Sequence, residues 1–323
     1  MNEKNQDLVF GPVPSRRLGR SVGINNIPPK FCTYSCIYCQ LGRTDKMQIK
    51  RDSFFDPEDI LSQTKQKISR AKQNHQHIDY LTIVSDGEPT LDNQLGHIIK
   101  KLKTLSFPVA VITNSSLLYQ KDVRKDLSEA NWVSVKIDAV KKETWKKIDR
   151  PHGDLNLEKI LDGLLAFSND FSGTLCTETM LIDSVNDDLK EIEQLTSFIV
   201  KLKPQTSYLS IPTRPPAESW VKPASEKKLA QIYRLFTDRD IPTEYLIGYE
   251  GNEFGFTGDA KQDILSIMAV HPMRKDAVES FLKKANKTWI FIERLIDQDK
   301  IVKHTLNNTI FYSRKLPKKV NKK

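Results

Sequence analysis

The chain has 323 residues, 38% of them hydrophobic, with four cysteines and a formal net charge of +9. That length suits one large domain plus a small one, and the apolar content is that of an ordinary soluble core. No apolar run reaches the length of a bilayer span, and the opening MNEKNQDLVF lacks the apolar stretch of a secretory signal. Few, clustered thiols fit a reducing compartment, so a cytoplasmic location is expected. The charge is unevenly placed. Residues 260–323 hold 15 Lys and Arg against 6 Asp and Glu, while the rest of the chain balances at 35 of each sign. Such asymmetry marks either a polyanion-binding segment or a solvated basic surface.

In chain order, SVGIN is the first predicted strand and leads through Pro28 and Pro29 into a cysteine-rich loop. Asp56 before Pro57 is an N-cap with proline in the first helical turn, opening a helix to about Gln73. YLTIVS is a second strand, followed by DGEP and a helix with Leu95, Ile98, Ile99 and Leu102 on one face. VAVIT, WVSVKI, TLCTETMLI and SYLSI are four further strands, with helical patterns between them. Asp154 or Asn156 is positioned to cap the helix through Leu157, Ile160, Leu161, Leu164 and Leu165. Strands alternating with helices predict an α/β fold with a parallel sheet, and six such units fit a partial (β/α)6 barrel over residues 1–247. Chemistry in such a barrel sits past the strand ends, here at Asp86, Glu88, Asn114, Asp138, Asp183 and Arg214. The Gly-rich stretch 248–259 is a linker, or a lid carrying Tyr249, Phe254 and Phe256. Three amphipathic helices and two short strands around Asn307 and Asn308 then predict a winged helix-turn-helix over 260–315, with a basic disordered tail at 316–323.

The most informative stretch is FCTYSCIYCQ, where Cys32, Cys36 and Cys39 stand at C-x3-C-x2-C. Three thiols in eight residues leave one unpaired in any disulfide scheme, and the loops between them are too tight for a bridge. Soft sulfur ligands favour zinc or an iron–sulfur cluster. A structural zinc site needs a fourth local Cys or His, which this loop lacks. A cube on three cysteines leaves one iron open to a ligand that is not protein.

This spacing, with Tyr38 before the last cysteine, resembles the signature of radical S-adenosylmethionine (SAM) enzymes. The longer run FGPVPSRRLGRSVGINNIPPKFCTYSCIYCQLGRT resembles their Fe–S oxidoreductase branch related to wyosine-forming tRNA enzymes. The resemblance implies a [4Fe–4S] cluster on Cys32, Cys36 and Cys39, with SAM chelating the fourth iron. It also implies reductive cleavage to a 5′-deoxyadenosyl radical that abstracts hydrogen, and a low-potential donor such as flavodoxin or ferredoxin. SDGEP stands where the superfamily usually shows a Gly-Gly-Glu segment that receives the SAM amino group. Asp86 replaces the first glycine before Gly87 and Glu88, leaving open which carboxylate meets the ligand.

Asn114, Lys136 and Asp138 lie where the third and fourth strands open into the cavity, in reach of a cofactor ribose or carboxylate. Tyr38 is placed to pack on adenine and shield the cluster, or simply to fill core. Arg16, Arg17 and Arg20 suit a phosphate, the cofactor carboxylate or neighbouring acids. Cys176, mid-strand, is expected to be buried. The sequence thus predicts a radical SAM enzyme acting on a macromolecule, RNA first because of the wyosine-branch resemblance and the basic end. A peptide or protein substrate is one alternative, and a DNA-binding redox or iron sensor is another.

Overall fold

The computed structural model describes residues 7–247, 251–252, 254–270, 272–306 and 309–315. An N-terminal hairpin joins β1 (Val9–Ser15) to β2 (Gly19–Ile24), and the short pair β3 (Phe31–Cys32) and β4 (Lys46–Met47) brackets the cysteine loop. Helices and strands then alternate through α1 (Pro57–Gln73), β5 (Tyr80–Ile83), α2 (Leu95–Lys103), β6 (Val109–Thr113), α3 (Lys121–Leu127) and β7 (Trp132–Lys136). Two helices, α4 (Lys142–Asp149) and α5 (Leu157–Asp170), precede β8 (Thr174–Met180). The alternation ends with α6 (Leu189–Leu202), β9 (Thr206–Ser210), α7 (Glu226–Thr237) and β10 (Thr243–Leu246). The C-terminal part is α8 (Ala260–Val270), β11 (Met273–Arg274), α9 (Lys275–Lys284), α10 (Ile290–Asp297), β12 (Ile301–Leu306) and β13 (Thr309–Arg314).

The expected α/β half-barrel is present, on a wider sheet than six units. Its strand order is β1-β2-β5-β6-β7-β8-β9-β10, with every pair parallel except β1 against β2. The added strands are β1, whose Gly11, Pro12 and Pro14 obscure a strand pattern, and β10. Caps fall where side-chain chemistry puts them. Asp56 accepts from the Glu58 amide, Asn156 rather than Asp154 caps α5, and Asp188 caps α6.

Because side chains alternate across a strand, the sheet has two unlike faces. Val22, Ile24, Leu81, Ile83, Val109, Val111, Val133 and Val135 face the helices and form the main core. On the concave side Leu18, from the β1–β2 turn, packs with Ala110, Trp132, Cys176, Tyr208 and Leu246. Cys176 is therefore core, 1% exposed. Arg16, in the same turn, donates to the Leu246 carbonyl at the end of β10, so the curled sheet brings its first hairpin to its last strand.

The C-terminal helices and the three-stranded sheet β11-β13-β12 share a second core that includes Phe10 and Val13 of β1. Phe10 crosses β2 at Gly23, where a Cβ would lie 2.0 Å from its ring. Phe254 is fully buried in this core and Phe256 meets Phe281 edge-on, while Gly255 donates to the Pro12 carbonyl. Tyr249, the Asn307–Asn308 turn and the tail 316–323 lie outside the described residues. Among the described residues no helix is long and apolar enough to cross a membrane.

A buried ion pair ties the two parts together. Lys67 Nζ on α1 lies 3.0 Å from Asp263 Oδ1 on α8, with side chains 6% and 1% exposed. Asp263 also accepts from the Thr257 amide and hydroxyl. Lys67→Met strands a buried carboxylate and should lower unfolding stability in a denaturant titration by about 3–5 kcal/mol. Adding Asp263→Asn, which keeps an acceptor for Thr257, should recover most of the loss.

Candidate active site

The site is built where the cysteine loop lies across the C-terminal ends of β5, β6 and β7. Residues 33–37 have almost no regular structure, so their backbone groups need partners elsewhere. The end of α4 supplies them. Ser35 N donates to the Asp149 carbonyl (3.0 Å), Ile37 N to Ile148 (2.9 Å) and His152 N to Thr33 (2.9 Å). Arg150, in the left-handed region at φ 45°, turns the chain there. Glu218 N donates to the Ile37 carbonyl, and its carboxylate takes Arg43 Nε (2.8 Å), Arg43 Nη2 (3.1 Å) and Arg150 Nη1 (2.5 Å). That clamp was not foreseen, because none of its three residues is near another in sequence.

The opposite wall is SDGEP. Lys30 N donates to the Asp86 carbonyl and Glu88 N to the Phe31 carbonyl, so this strand end runs directly against the chain entering Cys32. A Cβ on Gly87 would sit 1.8 Å from the Phe31 oxygen; only glycine fits. The two carboxylates differ sharply. Glu88 Oε1 accepts from the Thr90 amide and hydroxyl and from the Thr113 hydroxyl (2.6 Å), while Oε2 accepts from Asn114 N (2.8 Å). It is therefore held by β6. Asp86 accepts from Asn25 Nδ2 (3.0 Å) through one oxygen, while its Oδ1 is buried with no hydrogen-bond partner among the described residues.

The thiols meet polar groups from β6 and α4. Asn114 Nδ2 approaches Cys32 Sγ at 3.5 Å and donates to Thr33 Oγ1 at 2.8 Å, and Cys36 Sγ lies 3.4 Å from Asp149 Oδ1. Tyr38 donates to Asp138, and its hydroxyl lies 3.3 Å from Asp149. Lys136 Nζ sits 4.9 Å over the Tyr38 ring, 3.3 Å from Glu178 and 3.9 Å from Asp138. Tyr38, Asn114, Lys136 and Asp138 thus converge with the cysteines, whereas Asp183 is exposed and stands apart. Asp149 and Glu178 are additions. Asp149 ends a helix whose pattern was not recognised, and Glu178 hid in a strand whose inward face could not be assigned.

The charges have clear causes. Burial pushes the Cys32 thiol up to about 12, and Glu88 adds to it. Cys36 is raised by burial, by Asp149 and by the other two thiols, and Cys39 is raised chiefly by burial. Burial and then Asp138 raise Asp149 well above the usual carboxylate range. Burial alone would lower Lys136, but Asp138 and Glu178 raise it. Free thiolates are penalised in this pocket, and a soft cation that takes them up is rewarded. The donor set fits an iron–sulfur cluster, and the open Asp86 oxygen fits a cationic ligand.

Burial raises Asp86 to about 7, against the Asn25 hydrogen bond and the field of Arg314. An unfolded aspartate loses its proton near pH 4, so the folded state holds the proton more tightly. The stability that this proton confers is complete below about pH 4 and is lost as pH rises to about 7. Asp86→Asn should therefore raise the melting temperature of the SAM-free protein at pH 8 and change it little at pH 5. Equal shifts at both values would mean that Asp86 does not titrate this way.

Known proteins place this geometry. The profile of the radical SAM superfamily matches residues 26–196. The UPF0026 protein MJ1312 of Methanocaldococcus jannaschii is 42% identical over 311 residues, covering 96% of each chain. Among solved structures, a radical SAM methyltransferase from Sphaerobacter thermophilus is similar in fold, with TM-score 0.55, 14% identity and coverage of 70% and 66%. A structure of TYW1 with a lysine–pyruvate adduct bound is also similar, with TM-score 0.53, 20% identity and coverage of 69% and 75%. The chain belongs to the radical SAM superfamily, enzymes whose cofactors are a [4Fe–4S] cluster and S-adenosylmethionine.

Proposed function

We propose that this enzyme abstracts hydrogen from a macromolecular substrate, and that the macromolecule is RNA. The observation that carries this reading is the concentration of the entire net charge of +9 in residues 260–323. A neutral barrel joined to such a segment attracts phosphates through the segment. The order α8-β11-α9-α10-β12-β13, with its sheet β11-β13-β12, supports reading residues 260–315 as a winged helix. On this reading 1–247 is the barrel, 248–259 the connector and 316–323 a basic tail. A groove of about 310 Å³ beside α9 is lined by Lys275, Lys283, Lys287 and Trp289 together with Glu279 and Leu282; Lys275 Nζ lies 5.5 Å over the indole and 3.8 Å from Glu279. Ammonium groups beside an aromatic face suit phosphate and base together. Lys300 is lowered by the neighbouring Lys261, the mark of like charges pressed together.

In the barrel, the thiolates of Cys32, Cys36 and Cys39 would hold the cluster, and a flavodoxin or ferredoxin would reduce it. When bound, cluster and SAM supply reductive carbon–sulfur cleavage and hydrogen-atom abstraction. Asp86 Oδ1 would accept the SAM ammonium, while Gly87 lets its strand end close on the cysteine loop. Glu88 would act indirectly, by fixing β6 and Asn114. Tyr38, Lys136 and Asp138 would wall the pocket, keeping a positive charge near the ligand carboxylate and water away from the thiols.

Anaerobic reconstitution should give about four irons per chain. Alanine at Cys32, Cys36 or Cys39 should abolish the iron-dependent absorbance, and Cys176→Ala should retain it. SAM affinity should rise between pH 6 and 8 as Asp86 ionises, and Asp86→Asn should remove that dependence. Calorimetry at several pH values checks both.

RNA binding is tested on the full chain, because Phe10 and Val13 belong to the C-terminal core and an isolated fragment would expose that face. Titration with tRNA and duplex DNA should show tRNA preferred and affinity falling steeply with salt. A chain ending at Lys315 should retain part of the affinity. If only the longer chain binds, the tail is a generic polycation. If neither binds at low salt, a peptide or protein substrate becomes the better reading.

A further inference from the structure

We propose that the outer side of the cysteine loop is the docking surface for an acidic one-electron carrier protein, centred on Trp220. The inference rests on the reading that such a carrier reduces the cluster, and it assigns the place of contact. The inner side of the loop faces Asn114 and Asp138 and belongs to the cofactor. Electron transfer through protein weakens steeply with distance, so the carrier must approach where little lies between loop and solvent. On the outer side Ile37, between Cys36 and Tyr38, packs with Ile148, Ile182 and Val221 in a small core of its own. Each segment that supplies this core reaches the surface at the next residue: Lys147 beside Ile148, Asp183 beside Ile182, and Trp220 and Lys222 on either side of Val221. Contacts join these flanks into one patch. Lys147 Nζ donates to the Ser184 carbonyl (3.0 Å), Asp183 N to the Lys222 carbonyl (3.0 Å) and Glu218 N to the Ile37 carbonyl (3.0 Å). Glu218 in turn brings in Arg43 and Arg150, whose side chains are 71% and 37% exposed.

Charge selects the partner. Arg43, Lys147, Arg150 and Lys222 stand at this surface, whereas of the acids in the same segments Asp149 and Glu218 are buried and Asp183 is exposed. Residues 1–259 carry no net charge, so the local excess is not a by-product of composition. An acidic partner is steered to such a patch. Trp220 is 49% exposed, and its turn is held by the Val221 amide, which donates to the Glu218 carbonyl at 3.1 Å. A large ring presented on a fixed turn, with arginines beside it, has the character of an interface centre. A carrier seated here leaves the inner side free for the substrate, which a nucleic acid on the same face would not reach. On docking, the carrier gives up one electron and is oxidised by one, and the cluster, when bound, is the acceptor.

The test uses the anaerobically reconstituted full chain and an acidic flavodoxin, with binding read by calorimetry at several salt concentrations. Affinity should fall with salt. Lys147→Glu with Lys222→Glu should weaken it by about tenfold or more, and Trp220→Ala by about tenfold. Lys125→Glu with Lys201→Glu, the same charge change on α3 and α6, should leave it little altered. Iron content and melting temperature show that each variant is loaded and folded. SAM cleavage driven by flavodoxin should slow in the Lys147–Lys222 variant, while cleavage driven by dithionite should not. The proposal fails if the two double variants weaken binding equally, since net charge alone would then account for it. It fails if dithionite-driven cleavage slows as much, because the damage would then lie in the site, or if the Lys147–Lys222 variant loses tRNA and keeps flavodoxin. Normal flavodoxin binding and flavodoxin-driven cleavage in that variant overturn this surface and leave the carrier reading intact. A parent chain that neither binds flavodoxin nor cleaves SAM with it, yet cleaves SAM with dithionite, overturns both.

Discussion

The site depends on one constraint: a loop without regular structure must bury three sulfurs and still satisfy its own backbone. An unpaired buried amide costs about 1–3 kcal/mol, so several left open would dismantle the loop. Residues 148–152, at the end of α4 and just beyond it, close most of that account by pairing with residues 33–37. The Glu218 clamp on Arg43 and Arg150 holds the two segments in register. On the other side, backbone contact between Phe31 and Gly87–Glu88 leaves no room for a side chain. The thiols are placed by what surrounds the loop, not by the loop itself.

The sheet serves two purposes through its two faces. Aliphatic residues on the convex side pack α1 to α6 and give rigidity, while the concave side is layered by polarity. Leu18, Trp132, Cys176 and Tyr208 fill one end. Next comes the network of Arg17, Glu178 and Lys136, and then Asp138, Tyr38 and Asp149 beneath the cysteines. The C-terminal unit borders the same region: its core takes Phe10 and Val13 from β1, and Arg314 on β13 lowers Asp86 by its field. A charge change on β13 therefore reaches the candidate cofactor pocket without touching it.

The division between Asp86 and Glu88 shows how environment separates two neighbours of the same chemistry. Glu88 is satisfied by Thr90, Thr113 and the Asn114 amide, which makes it a strut between β5 and β6. Asp86, two residues earlier, has one oxygen tied to Asn25 and the other left open. An open buried acceptor costs stability in the free protein and is recovered only when a donor arrives. Position in a motif does not assign such roles; the available donors do.

The sequence alone determined much that is local or periodic. The spacing of Cys32, Cys36 and Cys39 points to soft-metal ligation, since any disulfide among the three clustered thiols would leave one unpaired. Aliphatic strands at Leu81, Val109 and Val133 alternate with helices, the first capped by Asp56, and this pointed to a parallel sheet, whose strand order only the folded chain supplies. Only the tertiary structure decided which distant residues complete the site. Asp149, Arg150 and Glu218 reach the loop across more than a hundred residues of chain, and no pattern of period 2 or 3.6 encodes such a meeting. Nor could composition say that Leu18 turns inward and takes Arg16 and Arg17 with it, because a hairpin's direction of curl is set by the sheet it closes. Periodicity reports each segment's preference for one face; which faces then meet is a property of the packed whole.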